Sequence, residues 1–304
     1  MKRGTIFLIS VCLACTFSGR VPPQAVAQST EYQVYLPMVA RADRYSFLVA
    51  GHTYGLPGVD NPGLHPPFRA LFPQINADRL SFGVLTGDIV VEGTADDWDE
   101  VDAELAELLF PVYLAVGNHD VSNRALFVSR YGPTYYSFAY HGDLFIVLDG
   151  ELDACNISGE QMAFLREALD GSEARNVFVF VHKLIWVVDG TPYYVLRARL
   201  NGPGGYDFQG NFWTEVEPLL SDLNAQVYIV AGDVGAPWAM PLFYERYENI
   251  HLVASGMGGS EEENFLIFEV DRSGVQIRAR RLDGRLLNRG TIEAYDLAYY
   301  GGVE

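Results

Sequence analysis

The apolar positions of this chain gather into short unbroken runs. Residues 46–50, 80–86, 112–116, 144–148, 177–181 and 227–231 are each rich in Val, Ile, Leu or Phe. A short apolar run without alternation suits a strand covered on both faces. Between the runs the period changes. Residues 95–108 place Trp98, Val101 and Leu105 at helical spacing. Residues 158–169 open with Ser158 and carry Gln161 three positions on, the pattern of a capping box. Residues 212–223 form a third helical stretch. Beyond residue 250 the chain reads as strands at 250–255, 264–271 and 275–282, with Asp271-Arg272-Ser273-Gly274 a hairpin signal. This order predicts a layered α/β domain with sheets at its centre and strands added late. Residues 184–211 are rich in glycine and tyrosine and show no period; loops of that length in a compact domain are functional or mobile.

The polar residues that end the runs carry the chemistry. The first run stops at Gly51-His52-Thr53-Tyr54, the second at Gly87-Asp88 and the third at Gly117-Asn118-His119-Asp120. The run at 177–181 stops at His182, and the run at 227–231 at Gly232-Asp233. In α/β sheets the crevice at the carboxyl ends of the strands is the usual ligand site. Glycine lets the backbone turn sharply and approach a ligand. Oxygen and nitrogen donors meeting there suit Mn, Fe or Zn. Taken singly, Asp88 and Asp233 also suit helix N-caps, Asn118 a left-handed turn, and His182 a hydrogen-bonded core position. The repetition of strand, glycine and polar residue argues for one shared site.

The set Gly87-Asp88, Gly117-Asn118-His119-Asp120 and His182 resembles the calcineurin-like metallophosphoesterases, a group that includes purple acid phosphatases. The stretches GPTYYSFAYHGDLFIVLDG (132–150) and SGEQMAFLREAL (158–169) are similar to segments of that family, and the resemblance covers roughly residues 45–282. It implies a four-layer αββα sandwich with metals at the strand ends. By resemblance, Asp88 bridges two metals, Asn118 and His182 bind the second, and His119 gives a proton to the leaving oxygen. A metal-bound hydroxide attacks phosphorus in line. Cations acidify bound water and neutralise phosphoryl charge, and an imidazole supplies the proton.

Both end motifs depart from the family. Where it opens with Asp-x-His, this chain has His52, Thr53 and Tyr54; where it closes with Gly-His-x-His, the chain has Gly232, Asp233, Val234 and Gly235. His52 and Asp233 stay credible ligands. Tyr54 ligates only when deprotonated, as on a ferric ion, and Gly235 offers nothing. One metal keeps Asp88, Asn118, His182 and Asp233; the other keeps Asp88, His52 and a doubtful Tyr54. The expected cofactor is therefore one or two divalent or trivalent ions, in a mononuclear site or one with a weakly held second ion. Many relatives also carry an aspartate three residues after the bridging one, which orients the proton donor. Here that position is Val91, with Glu92 next. Without an orienter, proton donation weakens and good leaving groups are favoured.

Other candidates rank lower. His65 suits loop packing, and His141 and His251 suit structural positions. Tyr135 and Tyr136 suit strand packing. Arg197 and Arg199, in the long loop, suit a substrate anion. Asn156-Ile157-Ser158 matches a glycosylation acceptor.

The chain ends and the charge add a setting. Lys2 and Arg3 precede an apolar stretch from Ile6 to Phe17, and Ala25-Val26-Ala27 offers small residues for cleavage. Residues 1–27 thus read as a secretory signal peptide, residues 28–44 as a leader and residues 45–304 as the domain. The apolar stretch is shorter than the roughly 20 residues that span a bilayer. Cleavage removes Lys2, Arg3 and Arg20 and no acid, taking the net charge from -18 to -21. Such a field disfavours nucleic acid and anionic membrane. Cys155 alone remains, so no internal disulfide forms. Two readings result: a secreted or periplasmic metal-dependent hydrolase of a phosphomonoester or phosphodiester, and a protein of the same fold that binds a metal or ligand without hydrolysis.

Overall fold

The computed structural model describes residues 44–59 and 61–301. The expected signal peptide and residues 28–43 of the leader lie outside them. Among the described residues, eleven strands form two sheets. The strands are β1 (Tyr45–Ala50), β2 (Phe82–Thr86), β3 (Val112–Ala115), β4 (Tyr136–Tyr140), β5 (Asp143–Val147), β6 (Asn176–Val181), β7 (Gln226–Ala231), β8 (Leu242–Tyr247), β9 (Ile250–Ser255), β10 (Asn264–Asp271) and β11 (Gly274–Arg281). The first sheet runs β11-β10-β1-β2-β3, and the second β4-β5-β6-β7-β9-β8. The strands β1, β2 and β3 are parallel to one another, as are β5, β6, β7 and β9. All six apolar runs are strands, and the hairpin at residues 271–274 joins β10 to β11.

The period of two explains why these strands are apolar throughout. On β1, Phe47 and Val49 enter the core between the sheets, while Leu48 and Ala50 face the opposite layer. On β6, Phe178 and Phe180 point inward and Val177, Val179 and Val181 outward. The inner layer is aromatic: Phe47 stacks on Phe82 and Phe268 at 4.9 and 4.8 Å and meets Phe178 edge-on at 5.2 Å. Each fully buried ring contributes about 1.5–3 kcal/mol. Helices α1 (Pro66–Arg69), α2 (Phe72–Ala77), α3 (Ala95–Leu105) and α4 (Arg124–Tyr131) accompany the first sheet. Their Phe68, Phe72, Trp98 and Phe127 fill its outer core. Helix α5 (Gly159–Leu169), a π turn at Phe212–Val216 and α6 (Glu217–Ser221) cover the second sheet through Leu165, Leu169, Phe212 and Leu220. A short α7 (Leu297–Gly301) ends the described chain. The result is the expected αββα order of layers.

Two local expectations fail. The capping box at α5 does not form. Ser158 donates to Asp153 at 2.6 Å instead, and Gln161 turns back to pair with both main-chain groups of Asp149 at 2.7 and 3.1 Å. Residues 212–223 are not one helix, because Pro218 lacks the N–H that a continuous ladder requires.

Candidate metal centre

The carboxyl ends of β1, β2, β6 and β7 meet at one edge, where main-chain bonds fix their exit loops. His52 N–H donates to Gly87 O at 3.0 Å, and Tyr54 N–H to Asp88 O at 3.1 Å. Gly232 and Asp233 N–H both donate to His182 O, at 2.9 and 3.0 Å. His52 and Asp88 each adopt φ 53°, the left-handed region that costs side-chain-bearing residues about 1–3 kcal/mol. The glycines are required by proximity. A Cβ on Gly117 would lie 2.2 Å from Asp88 Oδ1, and one on Gly87 would lie 2.6 Å from His182 Nδ1. Neither Asp88 nor Asp233 caps a helix; the next helix, α3, is capped by Thr94.

Asp88, His182 and Asp233 converge, with one donor atom from each within 4.8 Å of the others, and all three are buried. His182 Nδ1 faces Thr86 O at 2.9 Å. A carbonyl only accepts, so Nδ1 carries the proton and Nε2 points at the carboxylates. It lies 3.3 Å from Asp88 Oδ2 and 3.7 Å from Asp233 Oδ1, buried and without a well-formed hydrogen bond. Burial lowers the basicity of His182, but the charges of Asp88 and Asp233 override it and push its pKa up to about 10. Burial alone would raise the Asp88 carboxyl; the His182 imidazole, 3.3 Å away, holds it well below the usual carboxylate range. Two buried acids facing an imidazole nitrogen with no other partner fit a divalent cation, which takes the place of the proton.

His52 borders this group, with Nε2 3.7 Å from Asp88 Oδ2. Its Nδ1 donates to Met257 O at 2.7 Å, which again frees Nε2. Burial outweighs the nearby carboxylates and keeps this ring below the ordinary histidine range, neutral and able to ligate. Tyr54 is buried with its ring 4.3 Å from that of His52 and 4.9 Å from that of His119. Burial first, then the Asp88 charge, raises its pKa well above that of free phenol, so without a metal to acidify it the side chain stays a phenol. Tyr54 wedges the two imidazoles apart.

Asn118 is exposed, and no hydrogen bond joins its side chain to the group among the described contacts. Beside it, His119 finds an orienter that residue 91 was not expected to supply. The Val91 carbonyl accepts from Nδ1 at 2.6 Å, which fixes the ring and leaves Nε2 outside that bond. Glu92 does not take that place; with Asn118, His119, Ser122 and Asn123 it lines an open hollow of about 860 Å³. Asp120 is structural. Its carboxylate accepts from Ile89, Val90 and Gly117 N–H at 2.8, 3.1 and 2.8 Å, tying two exit loops together. Burial and the Asp88 charge push its pKa up to about 7 against those donors.

Arg197 and Arg199 are exposed, and Arg197 lies over the Tyr194 ring at 4.3 Å. His65 packs as expected, with Nε2 3.0 Å from Glu263. His251 stacks on Tyr228 at 4.3 Å in the core, and His141 sits in the β4–β5 turn. Asn156 is engaged with Asp153, Asp207 and Asn211. Cys155 is buried, which pushes its thiol up to about 12.

Three participants escape sequence reasoning. Tyr206 donates to Asp233 Oδ2 at 2.8 Å. Lys183 and Glu151 form a buried ion pair at 2.6 Å. Gly150-Glu151 repeats the strand, glycine and acid pattern after the run at 144–148, so Glu151 carried a signal. Tyr206, inside an aperiodic loop, carried none.

Two sheets packed face to face, flanked by helices, with buried acid and imidazole donors at the strand ends, define the metallophosphoesterase class of fold. The chain belongs to the calcineurin-like phosphoesterase family, which it matches over residues 45–256. Its structure is similar to that of a purple acid phosphatase isolated from yellow lupin (Lupinus luteus) seeds. The TM-score is 0.59 and the identity 15%, over 80% of this chain and 52% of that one. The chain thus spans about half the length of the lupin protein. A structure of PhoD matches less well, at TM-score 0.47 and 11% identity, over 79% of this chain and 70% of that one. A predicted phosphoesterase from Streptococcus pneumoniae matches at 0.39 and 11%, over 81% and 94%. None of the curated proteins compared with the chain matches it.

Proposed function

We propose that this protein is an exported phosphoesterase that works with one tightly held metal ion. The observation that carries the reading is the convergence of Asp88, His182 and Asp233, with the buried His182 Nε2 turned toward both acids. These three residues would hold the ion, with His52 as a weaker fourth donor. When bound, a divalent ion supplies an acidified water and offsets charge on the phosphoryl oxygens. His119, its Nδ1–H held by the Val91 carbonyl, donates the second proton of its imidazolium form from Nε2 to the leaving oxygen and returns to the neutral ring. The carbonyl fixes the ring without the full negative charge of an aspartate. The open hollow beside His119 gives the leaving group its space. Export rests on the charged, apolar and small-residue pattern of residues 1–27.

The test is reconstitution of the chain with Mn, Zn or Fe, followed by assay on aryl phosphomonoesters and phosphodiesters. Metal-dependent turnover, lost in Asp88→Ala and His119→Ala, is expected. Metal uptake with no turnover on any ester would return the protein to a binding role. Two tightly held ions per chain would sink the single-metal reading.

A further inference from the structure

The long loop reaches the metal centre through one side chain. The Tyr206 hydroxyl donates to Asp233 Oδ2 at 2.8 Å and accepts from Leu184 N–H at 3.1 Å. The loop is held in that place from both sides. Lys183 donates to Gly205 O at 2.5 Å while paired with Glu151, and its ammonium lies 5.6 Å from the Tyr206 ring centroid. Asn201 bonds Val234 O and Ala236 N–H, each at 2.9 Å, just past Asp233.

We propose that Tyr206 is a positioning residue for the metal centre, holding Asp233 so that one carboxylate oxygen faces the ion. An imidazole presents a single lone pair in a fixed direction, whereas a carboxylate rotates and offers two oxygens. Asp233 stands where the family has a histidine, and a partner on Oδ2 removes that freedom. The oxygen left over, Oδ1, is the one 3.7 Å from His182 Nε2. Hydrogen bonds to ligating carboxylates fix their orientation, and losing such a partner typically weakens metal binding about 10–100-fold. The loop without period thereby completes a site whose own strand carries a substituted ligand.

This inference rests on the single-metal reading, and its test separates the two. Zn²⁺ and Mn²⁺ dissociation constants are measured by competition with a chromophoric chelator, together with the melting temperature of the metal-free protein. Tyr206→Phe is expected to bind both ions about 10–100-fold more weakly. Asn211→Ala, which frees the loop from the Ile157 main chain, is expected to lower the melting temperature and leave metal affinity unchanged. Adding Tyr206→Phe to Asp233→Ala is expected to cost nothing further. Tyr206→Leu, which likewise lacks the hydroxyl and offers no donor or ligand, predicts the same loss and serves if Tyr206→Phe does not fold. Affinity within twofold of the parent in a folded Tyr206 variant would overturn the inference alone. A folded parent that binds neither ion would overturn the metal reading, and this inference with it.

Discussion

The two sides of the cleft are furnished unequally. The side built by β6 and β7 brings His182 and Asp233, both buried, with the histidine tautomer set by Thr86 and the carboxylate set by Tyr206. The side built by β1, β2 and β3 lends Asp88 to that group. Its remaining candidates are His52, buried with Nε2 3.7 Å from Asp88 Oδ2, Tyr54, whose burial disfavours the phenolate in the metal-free site, and Asn118, which is exposed. Acid and histidine have changed places between the end motifs, and both donors are buried, but Asp233 alone of the two lies in the set whose donor atoms all fall within 4.8 Å of one another. Each substituted donor has a second contact that dictates its direction: Tyr206 on Asp233, and the Met257 carbonyl on His52.

The largest expected effect on metal affinity is at Asp233. Asp233→Ala removes a ligand from the complete side and should lower metal affinity by roughly 10³-fold, the several kcal/mol that a ligating charge supplies. His52→Ala should cost at most about tenfold, or 1.4 kcal/mol. Titration calorimetry compares them directly, and equal losses would erase the asymmetry. Next comes the proton donor. His119→Gln should slow an alkyl phosphate ester by about 10²–10⁴-fold, and an activated aryl ester much less. Steady-state kinetics on both substrates decides; equal slowing would mean that His119 does not serve the leaving group.

A smaller effect contrasts two buried histidines. His182 lies between acids, and its pKa is pushed up to about 10. His251 has no acid against it: Tyr244 and Gln226 bond its ring, Tyr228 stacks on it, and burial, helped by Arg246, lowers its pKa to about 4. Its folded value lies below the unfolded one. The neutral ring therefore contributes full stability above about pH 6.5, and this is lost as the pH falls toward about 4, where the unfolded chain already holds the proton. Allowing for solvent screening, the loss is about 1–3 kcal/mol. Urea titrations across that window should show a shallower pH dependence in His251→Gln; an unchanged slope would place the acid sensitivity elsewhere. Smallest is Tyr54→Phe, expected within about threefold of the parent in turnover, or under about 0.7 kcal/mol. A collapse of metal binding there would restore Tyr54 as a ligand and level the two sides.

The layers were legible because strands buried on both faces leave unbroken apolar runs. The strands β4 and β8 left none. They are the two edges of the second sheet, paired on one side only, and Tyr-Ser-Phe-Ala-Tyr and Leu-Phe-Tyr-Glu-Arg-Tyr mix polar with aromatic positions. His182 was legible because it ends an apolar run, and Asp88 and Asp233 because strand, glycine and donor recur together. Asn118 fits the same pattern, yet the structure leaves it exposed: a pattern along the chain places a residue at the edge without aiming its side chain. Tyr206 belongs to a loop with no period to announce it. The partner of His119 is a main-chain oxygen, which no letter of the sequence records.

That last contact also bears on how the protein can vary. Every residue type supplies a carbonyl, so the aim of the proton donor does not depend on which amino acid occupies position 91. Point substitutions there leave the bond to His119 intact as long as the chain keeps its path. An insertion or deletion between Asp88 and Thr94 would move the oxygen itself. The orientation of the acid is thus robust to changes of letter and sensitive to changes of length.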